Sequence, residues 1–140
     1  MKKILLILAL LSVTLFANFK TIDVVEFEKL QKEGAPVIDI RTEGEWNATG
    51  IIEGSHKITF FNEQGQPLLA DWFFEVGHFV KDKKSPIILY CAHANRSKAL
   101  AEGLVSMGFE NVYELKGGIE NGWIKAGKKV VEKKSVKKIK

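Results

Sequence analysis

The sequence predicts an α/β domain: one layered unit with a mainly parallel central sheet and helices on both faces. Three observations lead there. From residue 20 onward, short apolar runs alternate with segments of helical spacing, the order left by a strand–helix–strand chain. The best run, Ile87 to Tyr90, is apolar at every position instead of every second one, as in a strand covered on both sides. Capping and turn residues stand between the runs, where helices must begin and end. A length of 140 residues with 46% hydrophobic and 27% charged side chains suits a single domain with a sizeable core, and no internal repeat is visible.

The first helix begins at Asp23, whose carboxylate can accept from first-turn amides, with Glu26 three positions on completing a capping box. Ile22 and Phe27 flank that cap as a hydrophobic staple; Val24, Phe27 and Leu30 keep one apolar face, and Gly34 stops the helix. Pro36 to Ile40 reads as a buried strand. Thr42 and Glu45 make a second capping box, for a brief helix that carries Trp46 and closes at Gly50. His56 to Phe61 is a weaker strand, and 62–67 is a loop. Leu68 to Val80 is a helix whose aromatic residues, Trp72, Phe73, Phe74 and Phe79, are mostly core, with part of the group placed to wall a cleft. A turn precedes the strand Ile87 to Tyr90. Ser97 to Met107 is a helix with Leu100, Leu104 and Met107 inward, ended by Gly108. Val112 to Leu115 is the last strand, and Gly117-Gly118 turns the chain into a short helix, Ile119 to Ala126, with Trp123 in the core.

The two ends differ from the body. Residues 1–17 read as a signal peptide: a basic start, an apolar run from Ile4 to Phe16, and Ala17. That run is too short to cross a bilayer comfortably. Leu15 stands three from the cut, where a small residue is usual, so an uncleaved membrane anchor is the competing reading. Export is expected, and the two-lysine start looks bacterial, which gives a periplasmic or secreted protein. Residues 18–130 are then the domain and 131–140 a basic tail. Residues 18–127 hold 12 basic and 16 acidic side chains, whereas 128–140 hold seven lysines and one acid. The formal charge of +4 therefore belongs to the ends, and nothing in it points to nucleic acid. The segment from Lys128 on is expected to be solvated, and any membrane contact is confined to it or to an uncleaved signal.

Cys91 is the only cysteine, so no intrachain disulfide can form. In an oxidising compartment such a thiol is either buried as a small hydrophobe or used. Its neighbours, "LYCAHANRS" at 89–97, bear on the choice. A strand ends just before Cys91 and a helix opens by Ser97, so the backbone between them must curl. The amides of Ala92, His93, Ala94, Asn95, Arg96 and Ser97 would then form an anion-binding nest, reinforced by the helix dipole. The Cys91 sulfur is expected at the mouth of that bowl, and such surroundings favour thiolate over thiol. Arg96 adds a forked donor set suited to oxyanions. A nucleophilic sulfur in an anion cradle can attack a substrate bearing a sulfo or phospho group.

Three segments resemble the rhodanese family, in the family's order and over roughly residues 19 to 130. "VIDIRTEGEWNATGIIEG", 37–54, looks like its Asp-x-Arg strand end, acidic-aromatic helix and Gly-x-Ile-x-Gly turn. "CAHANRS" is similar to its active loop, Cys-x-x-Gly-Asn-Arg-Ser, and "LKGGIENGWIKAGKKV", 115–130, to its closing Gly-Gly-(x)-Trp-(x)-Gly signature. The resemblance implies a sulfurtransferase. Cys91 would take the outer sulfur of thiosulfate or a similar donor as a persulfide, then pass it to cyanide or a thiol. The loop amides of 92–97 would hold the persulfide and Arg96 the donor's oxygens, with no metal or organic cofactor. The partners are a small sulfur-donor anion and its acceptor, which includes a protein sulfur acceptor.

Other readings stand beside this one. Related phosphatases and arsenate reductases place five residues between cysteine and arginine; here four intervene, a tighter bowl that suits a persulfide better than a tetrahedral centre. Ala94 stands where the family often has glycine; if the position needs positive φ, alanine costs on the order of 1 kcal/mol or bends the cradle, and with the basic tail this points to a low-activity carrier or docking module instead. His93 is unusual there and either steadies an anion or faces solvent. In the turn after Gly50, Ile51 stands for the family's histidine and Glu53 for its proline. Asp39 and Arg41 end a strand near the loop, with Arg41 expected to pair with an acid such as Glu45. Cys91 and His93 lack the spacing of a metal pair, even with His56 and His78 counted.

Overall fold

Every residue of Ile87–Tyr90 is buried, and the sheet is built outward from it. In the computed structural model, which describes residues 18–133, the elements run β1 (Lys20–Ile22), α1 (Val24–Lys32), β2 (Val37–Asp39), α2 (Glu43–Thr49), β3 (His56–Lys57), α3 (Leu69–Val76), β4 (Ile87–Tyr90), α4 (Asn95–Ser106), β5 (Val112–Leu115) and a closing π-helix (Gly118–Ile124). The signal segment 1–17 and residues 134–140 of the tail lie outside the described residues. The five strands stand in the order β1-β5-β4-β2-β3, and every neighbouring pair is parallel. Each crossover is therefore a helical one.

Because β4 faces helices on both sides, its residues alternate between two cores. Ile87, Leu89 and Cys91 join Trp72 and Val76 of α3 and Leu100, Ala101 and Leu104 of α4. Ile88 and Tyr90 join Phe27 of α1 with Ile119 and Trp123 of the π-helix. Phe27 meets the Trp123 ring at 5.4 Å and Tyr90 edge-on at 6.4 Å. The continuous apolar run in β4 is thus two interleaved core faces.

Local chemistry sets the helix starts. The Asp23 carboxylate accepts from Glu26 N at 2.9 Å. Glu45 Oε2 accepts from Thr42 N and Thr42 Oγ1 at 3.1 and 3.2 Å, closing the predicted capping box on α2. The strand expected over 56–61 is regular only at His56–Lys57, although Ile58 N and Phe60 N still bond to Asp39 O and Ile40 O. β1, three residues at the sheet edge with two exposed, had no apolar run to betray it.

Four expectations need correction. Met107 is 40% exposed because α4 ends before it, and Phe109 packs against the core in its place. Phe74 is 69% exposed, so the aromatic group is not uniformly core; α3 buries Trp72 and turns Phe74 outward. The segment from Lys128 on is not wholly solvated. Lys128 pairs with Glu28 at 2.9 Å, Trp123 Nε1 donates to Lys129 O, and Val131 exchanges two backbone bonds with Ile51. Docking therefore runs past residue 130, to the Lys57–Glu132 pair. Finally, Arg41 does not pair with Glu45. It is buried against Asp39, donating through Nε and Nη2 at 2.9 and 2.7 Å, and it also reaches Thr49 Oγ1 and Gly50 O.

That cluster ties the end of β2 to the end of α2. Both charges are 0% exposed, so each is tolerated only because the other is present. Asp39→Asn should lower the unfolding free energy by about 3–5 kcal/mol, read from urea denaturation, because it leaves a buried guanidinium uncompensated.

Candidate active site around Cys91

In an open parallel sheet the carboxyl ends of the strands make the crevice. Here the ends of β2, β4 and β5 deliver α2, the loop 91–97 and the turn 116–120 to one edge. The loop is fixed by what its carbonyls do. Cys91 O accepts from Ile119 N at 2.9 Å and Ala92 O from Glu120 N at 3.1 Å. Ala94 O accepts from Lys98 N at 3.0 Å and from Ser97 Oγ at 3.1 Å. The turn must press close to make the first two bonds. A Cβ at Gly118, which has φ +66°, would lie 2.4 Å from Ala92 O and 2.5 Å from Cys91 O, so only glycine fits.

With the carbonyls held, the amides are left over. Among the described residues, no protein acceptor serves the N–H groups of Ala92, His93, Ala94, Asn95 or Arg96. The amide of Ser97 reaches Cys91 Sγ at 3.5 Å, and Ser97 Oγ is also 3.5 Å from that sulfur. α4 opens at Asn95, so its dipole adds positive potential there. The sulfur is deeper than the sequence suggested: Cys91 is 1% exposed and forms the floor of the loop, not its mouth. Its other side packs into the α3–α4 core.

Each loop residue has a distinct environment. Ala92 and Ala94 are buried, His93 and Asn95 are exposed, and Ser97 is buried. Ala94 has φ +77°, the left-handed conformation that favours glycine. His93 is not simply in solvent: its Nε2 is 2.9 Å from Glu120 Oε2, joining the loop tip to the π-helix. Arg96 is held by Glu45 in a two-pronged bond, Nη1 to Oε2 at 2.9 Å and Nη2 to Oε1 at 2.5 Å. Burial pushes the Glu45 carboxyl up. The bonds from Arg96 and Thr42 and the charge of Arg96 outweigh burial and hold it down at about 2. Arg96 is raised in turn, by its bond to Glu45 against burial, with Glu45 and Cys91 adding to the rise.

Thr42, Glu45 and Arg96 also line a cavity of about 550 Å³ whose far wall is Phe61, Asn62, Glu63 and Gly65. The aromatic residues of 72–79 do not line it; Phe61 does. Asp39 and Arg41 lie behind the loop and are saturated by each other and by α2, so neither reaches this cavity. Among the described residues, no three His, Cys, Asp or Glu side chains converge as metal ligands would. The reading from sequence missed Glu45 as the partner of Arg96, because the pair is 51 positions apart and leaves no local spacing. It also missed Glu114, which has a signal: an acid in "VYEL" on the same side of the strand as Val112. Glu114 is 0% exposed, with Ser97 Oγ 3.5 Å from its Oε2.

The chain matches the model of the Rhodanese-like domain over residues 23–126. It is 35% identical over 104 residues to the thiosulfate sulfurtransferase GlpE of Pseudomonas fluorescens, covering 74% of this chain and 84% of that one. It is 33% identical over 118 residues to GlpE of Pseudoalteromonas translucida, covering 82% and 98%. Among solved structures, Rv0390 from M. tuberculosis superposes with a TM-score of 0.64 at 20% identity, over 79% of this chain and 96% of that one. A thiosulfate sulfurtransferase from Pseudomonas aeruginosa gives 0.62 at 22% identity, over 87% of this chain and 22% of the other. These two carry the fold alone. With the family's model spanning β2 to β5, the Cys91 loop and the glycine turn that shapes it, the protein belongs to the rhodanese-like domain family, a family of sulfurtransferases.

Proposed function

We propose that the protein moves sulfane sulfur through a persulfide on Cys91, taking it from thiosulfate or a similar sulfo-terminated donor. One observation carries this reading: in the loop that opens at the buried Cys91, five successive amides have no protein acceptor and the next, Ser97 N, reaches the sulfur at 3.5 Å. The Cys91 thiolate attacks the outer sulfur of the donor. A new S–S bond forms at Cys91, the bond to the sulfonate breaks, and sulfite leaves with the electron pair. The persulfide anion is left inside the loop, where the amides of 92–97 solvate its outer sulfur. Cyanide or a thiolate then attacks that sulfur, and Cys91 returns as thiolate. Arg96 is the group that takes the donor's oxygens in this reading, and its place on the border of a cavity of about 550 Å³ supports that role. The acceptor includes a thiol on another protein. Export to the periplasm or beyond belongs to this proposal too, on the strength of residues 1–17, and cell fractionation checks it.

A second reading is a low-activity sulfur carrier. Two observations favour it: Ala94 sits at φ +77°, and the Arg96 fork is already filled by Glu45. A dianionic donor must compete with that carboxylate.

In a thiosulfate–cyanide assay, Cys91→Ser should fall to the uncatalysed rate, and only the wild type should gain the mass of one sulfur atom on exposure to donor. Release of phosphate from phosphate esters, or reduction of arsenate, by the same thiol would sink the transfer reading in favour of a phosphatase or arsenate reductase. Glu45→Gln keeps a side chain able to complete the capping box but removes the competing charge. It should lower KM for thiosulfate roughly fivefold, equivalent to about 1 kcal/mol. Ala94→Gly should raise stability by about 1 kcal/mol in thermal denaturation and leave the persulfide mass unchanged.

A further inference from the structure

A carboxyl group stands behind Cys91 that these transfer steps do not use. Glu114 lies on β5 with its side chain on the α4 face, and it is 0% exposed. Its Oε1 accepts from Thr21 Oγ1 at 2.5 Å. Its Oε2 is 3.5 Å from Ser97 Oγ, and Ser97 Oγ is 3.5 Å from Cys91 Sγ. The serine hydroxyl thus stands between sulfur and carboxyl. A hydroxyl can accept one proton while giving up another, so it can relay in either direction. Rotation about its Cβ–Oγ bond re-aims the O–H from Ala94 O, where it rests at 3.1 Å, to the carboxylate.

Charge adds a second constraint. Two buried anions at this range disfavour each other. Burial pushes the Glu114 carboxyl above its ordinary range, against the bonds of Thr21 and Ser97 and the charge of Lys98 on α4, which lower it. Arg96 also bears on Cys91, and Lys20 on β1 is turned toward the Tyr113 ring. Lys98 and Thr21 do not remove the cost of a full negative charge beside a second one.

We propose that Glu114 holds a proton for Cys91: the two groups share one negative charge, and Ser97 Oγ passes the proton between them. The inference rests on Cys91 being the reacting thiol. In the step, the Cys91 S–H bond breaks and its electron pair stays on sulfur. That proton bonds to Ser97 Oγ as the proton already on Oγ bonds to Glu114 Oε2. Sulfur becomes thiolate, Glu114 becomes a neutral acid, and no proton crosses to solvent. Glu114 keeps the proton while the sulfur is thiolate or persulfide and loses it when the sulfur is neutral. It is a positioning residue for charge, acting through Ser97.

Alkylation of Cys91 by iodoacetamide across pH needs no sulfur donor, so its result is separate from that of turnover. The wild-type rate should climb in two steps, because coupled groups ionise in two macroscopic stages, and that of Glu114→Gln in one. Infrared difference spectra, donor-loaded minus iodoacetamide-alkylated, should gain a protonated-carboxyl band in the wild type, because the persulfide is charged and the alkylated sulfur is neutral. Thr21→Val removes the donor on Oε1 from an exposed edge position and should move that band to higher frequency; it serves as the test if Glu114→Gln does not fold. A single-step wild-type profile, or a loaded persulfide with no carboxyl band that answers to Thr21→Val, would overturn the inference. A two-step profile with no turnover would overturn the sulfur-transfer reading and leave the shared charge standing.

Discussion

The capture of two carbonyl oxygens governs everything around Cys91. A loop this short must aim either its carbonyls or its amides inward. The bonds from Ile119 N and Glu120 N to Cys91 O and Ala92 O settle that choice by drawing the oxygens toward the π-helix. What remains on the inner side is a set of N–H groups and one sulfur. The glycine turn at 117–118, the wide winding of the helix behind it and the placement of β5 beside β4 all serve that contact. The amides left without protein acceptors are a by-product of where the carbonyls have been spent.

The two arginines near the site show how differently one charge can be used. Arg41 is fully enclosed, and Asp39, Thr49 and Gly50 take up its donors, so it fixes geometry and meets no solute. Arg96 is partly exposed, is shared with a single carboxylate, and borders an open cavity. Only the second can exchange partners.

Much of the fold was legible because its signals are local. The apolar run of β4, the Asp23 cap and the Thr42–Glu45 box each lie within a few positions, and the structure has all of them. The loop could also be read, since curl and helix start follow from a strand ending at Tyr90 and a helix opening by Asn95. Ala94 was flagged as a position wanting glycine, and its φ is positive. What escaped depends on distance along the chain. β1 is a strand only because β5 offers it an edge. Glu45 meets Arg96, and His93 meets Glu120, through the topology alone. The depth of Cys91 was misjudged because burial comes from the loop folding over it, which no spacing encodes.

That depth has a consequence for survival in an oxidising medium. Joining two copies through a disulfide requires their sulfurs to approach within about 2 Å. With Cys91 1% exposed, that cannot happen until the loop lifts away. The fold acts as a steric barrier: a second molecule of the same protein is turned back before its sulfur can meet Cys91. The solitary thiol is thereby kept from covalent dimerisation by the backbone that folds over it.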